Sequence, residues 1–138
     1  MDTPTPAPLA RLLDAVRDRD PVAIEACFRS DYRNETPAHP SRGFTGGDQV
    51  RRNWERILGA VPDLQARVER WAADGDTVWT EWSQRGTRRD GAAFEMRGVI
   101  VFELAGDKIA AARFFLEPVE RGGDGIDDAV ITHVGDRP

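Results

Sequence analysis

The sequence predicts an α+β domain in which a curved antiparallel sheet wraps three N-terminal helices. Two observations carry that reading: apolar spacing changes from helical to alternating after Pro62, and every helical pattern precedes every strand pattern. A chain of 138 residues, 40% hydrophobic and 31% charged, has room for one core and is too short for two domains of ordinary size.

The elements follow in order. Residues 1–7, with Pro4 and Pro6, read as an extended, disordered tail. Leu9, Leu12, Leu13 and Val16 share one helix face, so 8–18 is amphipathic. Asp20 before Pro21 is an N-cap followed by a proline where its missing N–H costs nothing; Val22, Ile24, Cys27 and Phe28 supply the second helix with apolar surface. Ser30 to Gly47 is polar and rich in glycine and proline, and reads as one long loop of the kind that carries function. Thr45 and Asp48 have capping-box spacing, and Val50, Trp54, Ile57, Leu58 and Val61 lay an apolar stripe along a third helix. Beyond Pro62 four strands form a meander: one through Leu64, Ala66 and Val68, then "TVWTEWSQRGT", "FEMRGVIVFEL" and "KIAAARFFLEP". If the "RDG" hairpin has a three-residue loop, Met96, Gly98, Ile100 and Phe102 face Gln84; a two-residue loop brings Arg97 there. Residues 119–138 form a C-terminal extension in which "AVITHV" could dock as a short extra strand.

Composition excludes several classes. A net charge of -5 and a pI near 5.0 argue against a nucleic-acid surface. No apolar run is long enough to span a bilayer, and "MDTPTPAP" lacks a secretion signal's basic start, so the expected location is cytoplasmic, without membrane contact. Cys27 has no disulfide partner and reads as a buried side chain. With only His39 and His133 beside it, and no ligand spacing, neither a metal nor a cofactor is expected.

Three helices, a long loop, "GFTGGDQVRRNWERI", a long hairpin and a strand of the form "GDKIxxxxFFxE" resemble the SnoaL-like branch of the nuclear transport factor 2-like superfamily, over residues 8–118. The resemblance implies a cone-shaped barrel with an apolar pocket between sheet and helices, commonly a homodimer, here expected through the sheet face. It also implies a hydrophobic small molecule as partner. The superfamily includes polyketide cyclases, ketosteroid isomerases, epoxide hydrolases and non-catalytic modules, so the site must decide.

In the epoxide-hydrolase relatives a Tyr-x-Asn after the second helix holds a water, and Tyr32 and Asn34 match it. Their Asp-Arg-Asp set falls on Trp82, Gln84 and Phe114, which leaves that mechanism without its base or acid. Ketosteroid isomerases need a base near Thr36 and a tyrosine from the first helix, and this chain's single tyrosine is Tyr32. Cyclases of the SnoaL-like kind carry an acid late on the last strand, close to Glu117. Two readings of Glu117 compete: proton transfer in the pocket, or pairing with Arg113, Arg97 or a neighbouring subunit on the outer face. Strand parity puts Glu117 opposite to Phe114 unless a bulge intervenes. The candidate catalytic residues are therefore Tyr32, Asn34, Glu117 and His39, a loop histidine able to shuttle protons. Trp54, Trp82, Gln84, Met96 and Phe114 are the candidate substrate contacts. The activity expected is that of a cofactor-independent isomerase, cyclase or hydrolase on a hydrophobic cyclic or polyketide-like substrate; the alternative is a non-catalytic binding or dimerisation module.

Overall fold

The computed structural model of the protein describes residues 4–135. Helix α1 (Ala7–Arg17) turns Leu9, Leu12, Ala15 and Val16 into the core. Full burial of one such aliphatic side chain is worth roughly 1.5–3 kcal/mol, so this stripe anchors the helix. Of the tail expected over residues 1–7, Met1 to Thr3 lie outside the described residues; Pro4 to Pro6 have no regular structure, and Ala7 already belongs to the helix. Asp20 caps α2 (Pro21–Ala26) as its position predicts: its carboxylate accepts from the Ala23 N–H at 3.1 Å. Phe28, assigned to this helix by spacing, instead opens a strand.

That strand corrects the long loop. Residues Phe28–Glu35 form β1, whose inward side chains are Phe28, Tyr32 and Asn34; Ser30, at the same parity, is polar and exposed, so the apolar alternation that would have revealed the strand is missing. A 3₁₀ turn (Pro40–Arg42) and the two-residue β2 (Phe44–Thr45) complete the segment. The Thr45/Asp48 capping box does not form. Thr45 belongs to β2, and Gly46 is the N-cap of α3 (Gly47–Ala60) at φ 107°, backbone that favours glycine. Asp48 instead accepts from Arg52 at 3.0 Å, which holds its carboxyl below the ordinary range.

The meander forms as expected from β3 (Gln65–Asp74), β4 (Thr77–Thr87), β5 (Ala93–Ala105) and β6 (Lys108–Pro118), each antiparallel to the next. The sheet is open and six-stranded, in the order β2-β1-β6-β5-β4-β3; β1 joins β6 in parallel, an arrangement the sequence pattern had not suggested. The β4–β5 hairpin has neither a two- nor a three-residue loop. Thr87 pairs with Ala93, so residues 88–92 form the connection, with Gly91 at φ 86°. The odd loop length has the same parity as three residues: Met96 stands opposite Gln84 on the inner face and Arg97 faces out beside Ser83.

"AVITHV" is helical rather than an added strand, within α4 (Ile126–Val134). Asp127 and Asp128 in the first turn favour the positive end of the helix dipole, and Gly135 closes it in a left-handed C-cap.

Candidate functional site

A cavity of about 420 Å³ lies between the concave sheet face and α3. Its apolar walls come from Val50, Trp54 and Ile57 of α3, Phe94 and Met96 of β5, and Phe114 and Leu116 of β6. Val50 is buried, whereas Trp54 and Ile57 are only half-buried because they wall a cavity instead of packing directly on the sheet. Phe28 and Phe44 close the β1 end, and Thr36 and Arg42, from the segment after β1, also line it. Arg42 is exposed and so marks the mouth. A wider depression of about 900 Å³ near Val22, Glu25 and Lys108 shares only Phe28 with this lining.

Apart from Arg42 at the mouth, the polar groups on the wall are neutral and arranged in one sense. Alternation along β1 puts Tyr32 and Asn34 on the same face, where the Tyr32 hydroxyl donates to Asn34 Oδ1 at 2.7 Å. Both are buried, at 1% and 8% exposure, and burial pushes the Tyr32 phenol above its ordinary pKa, so it stays protonated. On α3, Asn53 Oδ1 accepts from Gln49 Nε2 at 2.8 Å. With each asparagine oxygen already engaged, the amide N–H₂ of Asn34 and of Asn53 is the group left to donate. Gln84, 7% exposed on β4, completes the set, and no hydrogen bond to a described residue engages its side-chain amide. Such a wall is suited to ligand oxygens that accept hydrogen bonds.

The sequence candidates divide accordingly. Tyr32, Asn34, Trp54, Gln84, Met96 and Phe114 meet at the cavity. Trp82 does not line it: at 2% exposure it packs in the core against Phe102, with ring centroids 5.9 Å apart, and its Nε1–H is buried without a partner. Glu117 and His39 also lie off the wall. The β5–β6 register is unbroken from Glu117 to Ala111, so parity holds and Glu117 faces outward, half-exposed. Its partner is not Arg113 or Arg97 but His39, whose Nε2 stands 3.0 Å from Glu117 Oε1. No carboxylate or histidine is among the residues lining the cavity. Among the described residues no group of three or more His, Cys, Asp or Glu side chains is placed to hold a metal ion, and no helix is long and apolar enough to cross a membrane.

Besides the apolar Phe28, Phe44, Val50, Ile57, Phe94 and Leu116, sequence reading missed the polar wall residues Arg42 and Asn53. Asn53 carries a signal in retrospect, lying three residues after Val50 on the same helix face; Arg42, at the end of a three-residue 3₁₀ turn, carries none.

The family model for the SnoaL-like domain matches residues 9–112. No curated protein matches the sequence. Among solved structures the chain is similar to an LEH-like epoxide hydrolase of M. tuberculosis, at 21% identity and TM-score 0.67 over 80% of each chain. It is similar also to AclR, a putative hydroxylase from Streptomyces galilaeus, at 18% identity and TM-score 0.68, covering 96% of this chain and 81% of that one. A putative SnoaL-like polyketide cyclase from Shewanella denitrificans OS-217 matches at 11% identity and TM-score 0.66, covering 80% of this chain and 88% of that one. At these identities the likeness is one of fold.

Proposed function

The chain belongs to the SnoaL-like domain family, and from that premise we propose that it binds a hydrophobic, carbonyl-bearing small molecule in the cavity beneath α3, without acid–base catalysis by the cavity wall. The observation that carries this reading is the wall itself: aromatic and aliphatic surface, three amides, a tyrosine kept neutral by burial, and no carboxylate or histidine. General acid–base chemistry near neutral pH needs a group that can exchange a proton there, within hydrogen-bond reach of the reacting atom. Tyr32 is held on the wrong side of that requirement, and His39 and Glu117 are spent on each other outside the wall.

A second reading keeps the same ligand but makes it a substrate. The Tyr32–Asn34 hydrogen bond favours it, because it orients an amide donor that could polarise a carbonyl together with Gln84. The activity would then be cofactor-independent isomerisation, cyclisation or water addition, in keeping with the activities named for similar structures. A homodimer through the outer sheet face goes with either reading, and the exposed Trp79 and Phe115 support it.

Tryptophan fluorescence of wild type and Trp54→Phe, titrated with polyketide-like, steroid and terpenoid ketones, tests the proposal. Saturable quenching that the substitution weakens is expected, with each binder recovered unchanged after incubation. Flat titrations across the panel would refute the binding reading, and conversion of a binder that Asn34→Ala abolishes would replace it with the catalytic one.

A further inference from the structure

Resting on the binding reading above, we propose that the ligand carries an anionic oxygen group, a carboxylate or an acidic enolate, which Arg42 takes at the cavity mouth. Three observations converge. First, Arg42 is a cation on a wall that has no carboxylate to neutralise it, in a chain whose net charge is -5. Second, it is unengaged in a protein that otherwise pairs its arginines. Among the described residues only Arg42, Arg56 and Arg85 make no ion pair or hydrogen bond through the guanidinium. Of these three, Arg42 alone lines the cavity. Third, the inner wall presents donors, because the oxygens of Asn34 and Asn53 are both occupied by protein hydrogen bonds. A guanidinium at the mouth and amide donors within give one direction of charge along the cavity. The fitting ligand is an apolar body with acceptor oxygens, and with its charged end outward where Arg42 can bind it bidentately.

The turn that carries Arg42 is built to hold it there. The Arg42 N–H donates to the His39 carbonyl at 2.9 Å, the His39 N–H to the Thr36 carbonyl at 2.8 Å, and the His39 ring is tied to Glu117 of β6. His39 and Glu117 are on this account positioning residues: they fix the turn against the sheet and touch no ligand.

The test is calorimetric titration of the full chain at low salt and neutral pH with two probes of one shape, 2-naphthoate and 2-naphthamide. A carboxylic acid of ordinary pKa is ionised there, so the pair differs in charge. Wild type should bind the naphthoate about tenfold more tightly. Arg42→Gln should abolish that preference by weakening naphthoate far more than naphthamide, and Arg85→Gln, a control away from the cavity, should keep it. Equal affinities in wild type, or a preference that survives Arg42→Gln, would overturn the proposal while leaving the binding reading intact. If neither probe binds wild type and flat titrations with the ketone panel agree, both fall together; if the ketones bind and the naphthyl pair does not, only the anionic group is refuted.

Discussion

The two faces of one sheet have opposite chemistry. On β4, β5 and β6 the outward positions carry Glu81, Arg85, Glu95, Arg97, Glu103, Arg113 and Glu117, while the inward ones carry Thr80, Trp82, Gln84, Met96, Ile100, Phe102, Phe114 and Leu116. Most of these outer charges are tied into exposed pairs, such as Arg70 to Glu81 at 2.6 Å and Arg113 to Glu35 at 3.6 Å. Inside, polarity is confined to neutral groups such as Gln84 and Thr80, whose hydroxyl donates to the Ile100 carbonyl at 2.8 Å. Strand parity alone performs this sorting, and it teaches that a carboxylate close in sequence to a cavity residue is not thereby in the cavity. Glu117 and Leu116 are neighbours in the chain and lie on opposite sides of the sheet.

Two tryptophans of β4 should show the largest difference between the faces. Trp82 is 2% exposed on the inner face and Trp79 is 52% exposed on the outer. Trp82→Ala should cost about 3–5 kcal/mol in urea unfolding, the usual loss for a large buried aromatic. Trp79→Ala should stay within about 0.5 kcal/mol at low protein concentration. If the outer face is a dimer contact, the Trp79 effect will grow with protein concentration and the Trp82 effect will not. Equal losses for both variants would dissolve the inner–outer distinction. Next in size is Gly98→Ala. A Cβ on Gly98 would overlap the Phe115 carbonyl oxygen on the neighbouring strand, so the β5–β6 pairing must shift. A loss of about 1–3 kcal/mol is expected in the same measurement, and a neutral outcome would mean that the two strands can part there without strain.

How much of this was legible in the sequence follows from the same parity. The meander was readable because β4 to β6 alternate cleanly, and with them the placement of Gln84, Met96 and Phe114 on one face. Strand β1 was not: Arg29, Ser30, Asp31 and Arg33 make it polar, and with Ser30 exposed between Phe28 and Tyr32 too few apolar residues remain to show the alternation. The family resemblance, not the periodicity, picked out Tyr32 and Asn34. Trp82 shows the limit of face assignment. It shares a face with Gln84 but stands deeper along the strand, where the core has closed around it, and depth is not encoded in alternation. Arg42 lay beyond reach because a turn has no period to read.

A smaller effect probes the inner face directly. Gln84→Leu removes an amide with no protein partner, so stability should hold within about 0.5 kcal/mol, whereas a carbonyl-bearing ligand should lose about threefold to tenfold in affinity, the worth of one hydrogen bond. The split between an unmoved unfolding midpoint and a weakened titration is the diagnostic result. A fall in stability with unchanged affinity would place Gln84 in the fold and not in recognition.

The smallest effect belongs to the outer face and decides the question that Glu117 raises. Were Glu117 a proton-transferring group, Glu117→Gln would lower turnover of a converted ligand by roughly a hundredfold to ten-thousandfold. As an exposed partner of His39, it should change stability by less than about 1 kcal/mol. Its variant should also weaken binding of an anionic ligand more than that of a neutral one, because loosening His39 loosens the turn that carries Arg42. His39→Ala should reproduce that pattern, and Glu117→Gln added to His39→Ala should bring almost nothing further. A double variant whose losses simply sum would show that the two side chains act independently, and the ion pair would then have no part in placing Arg42.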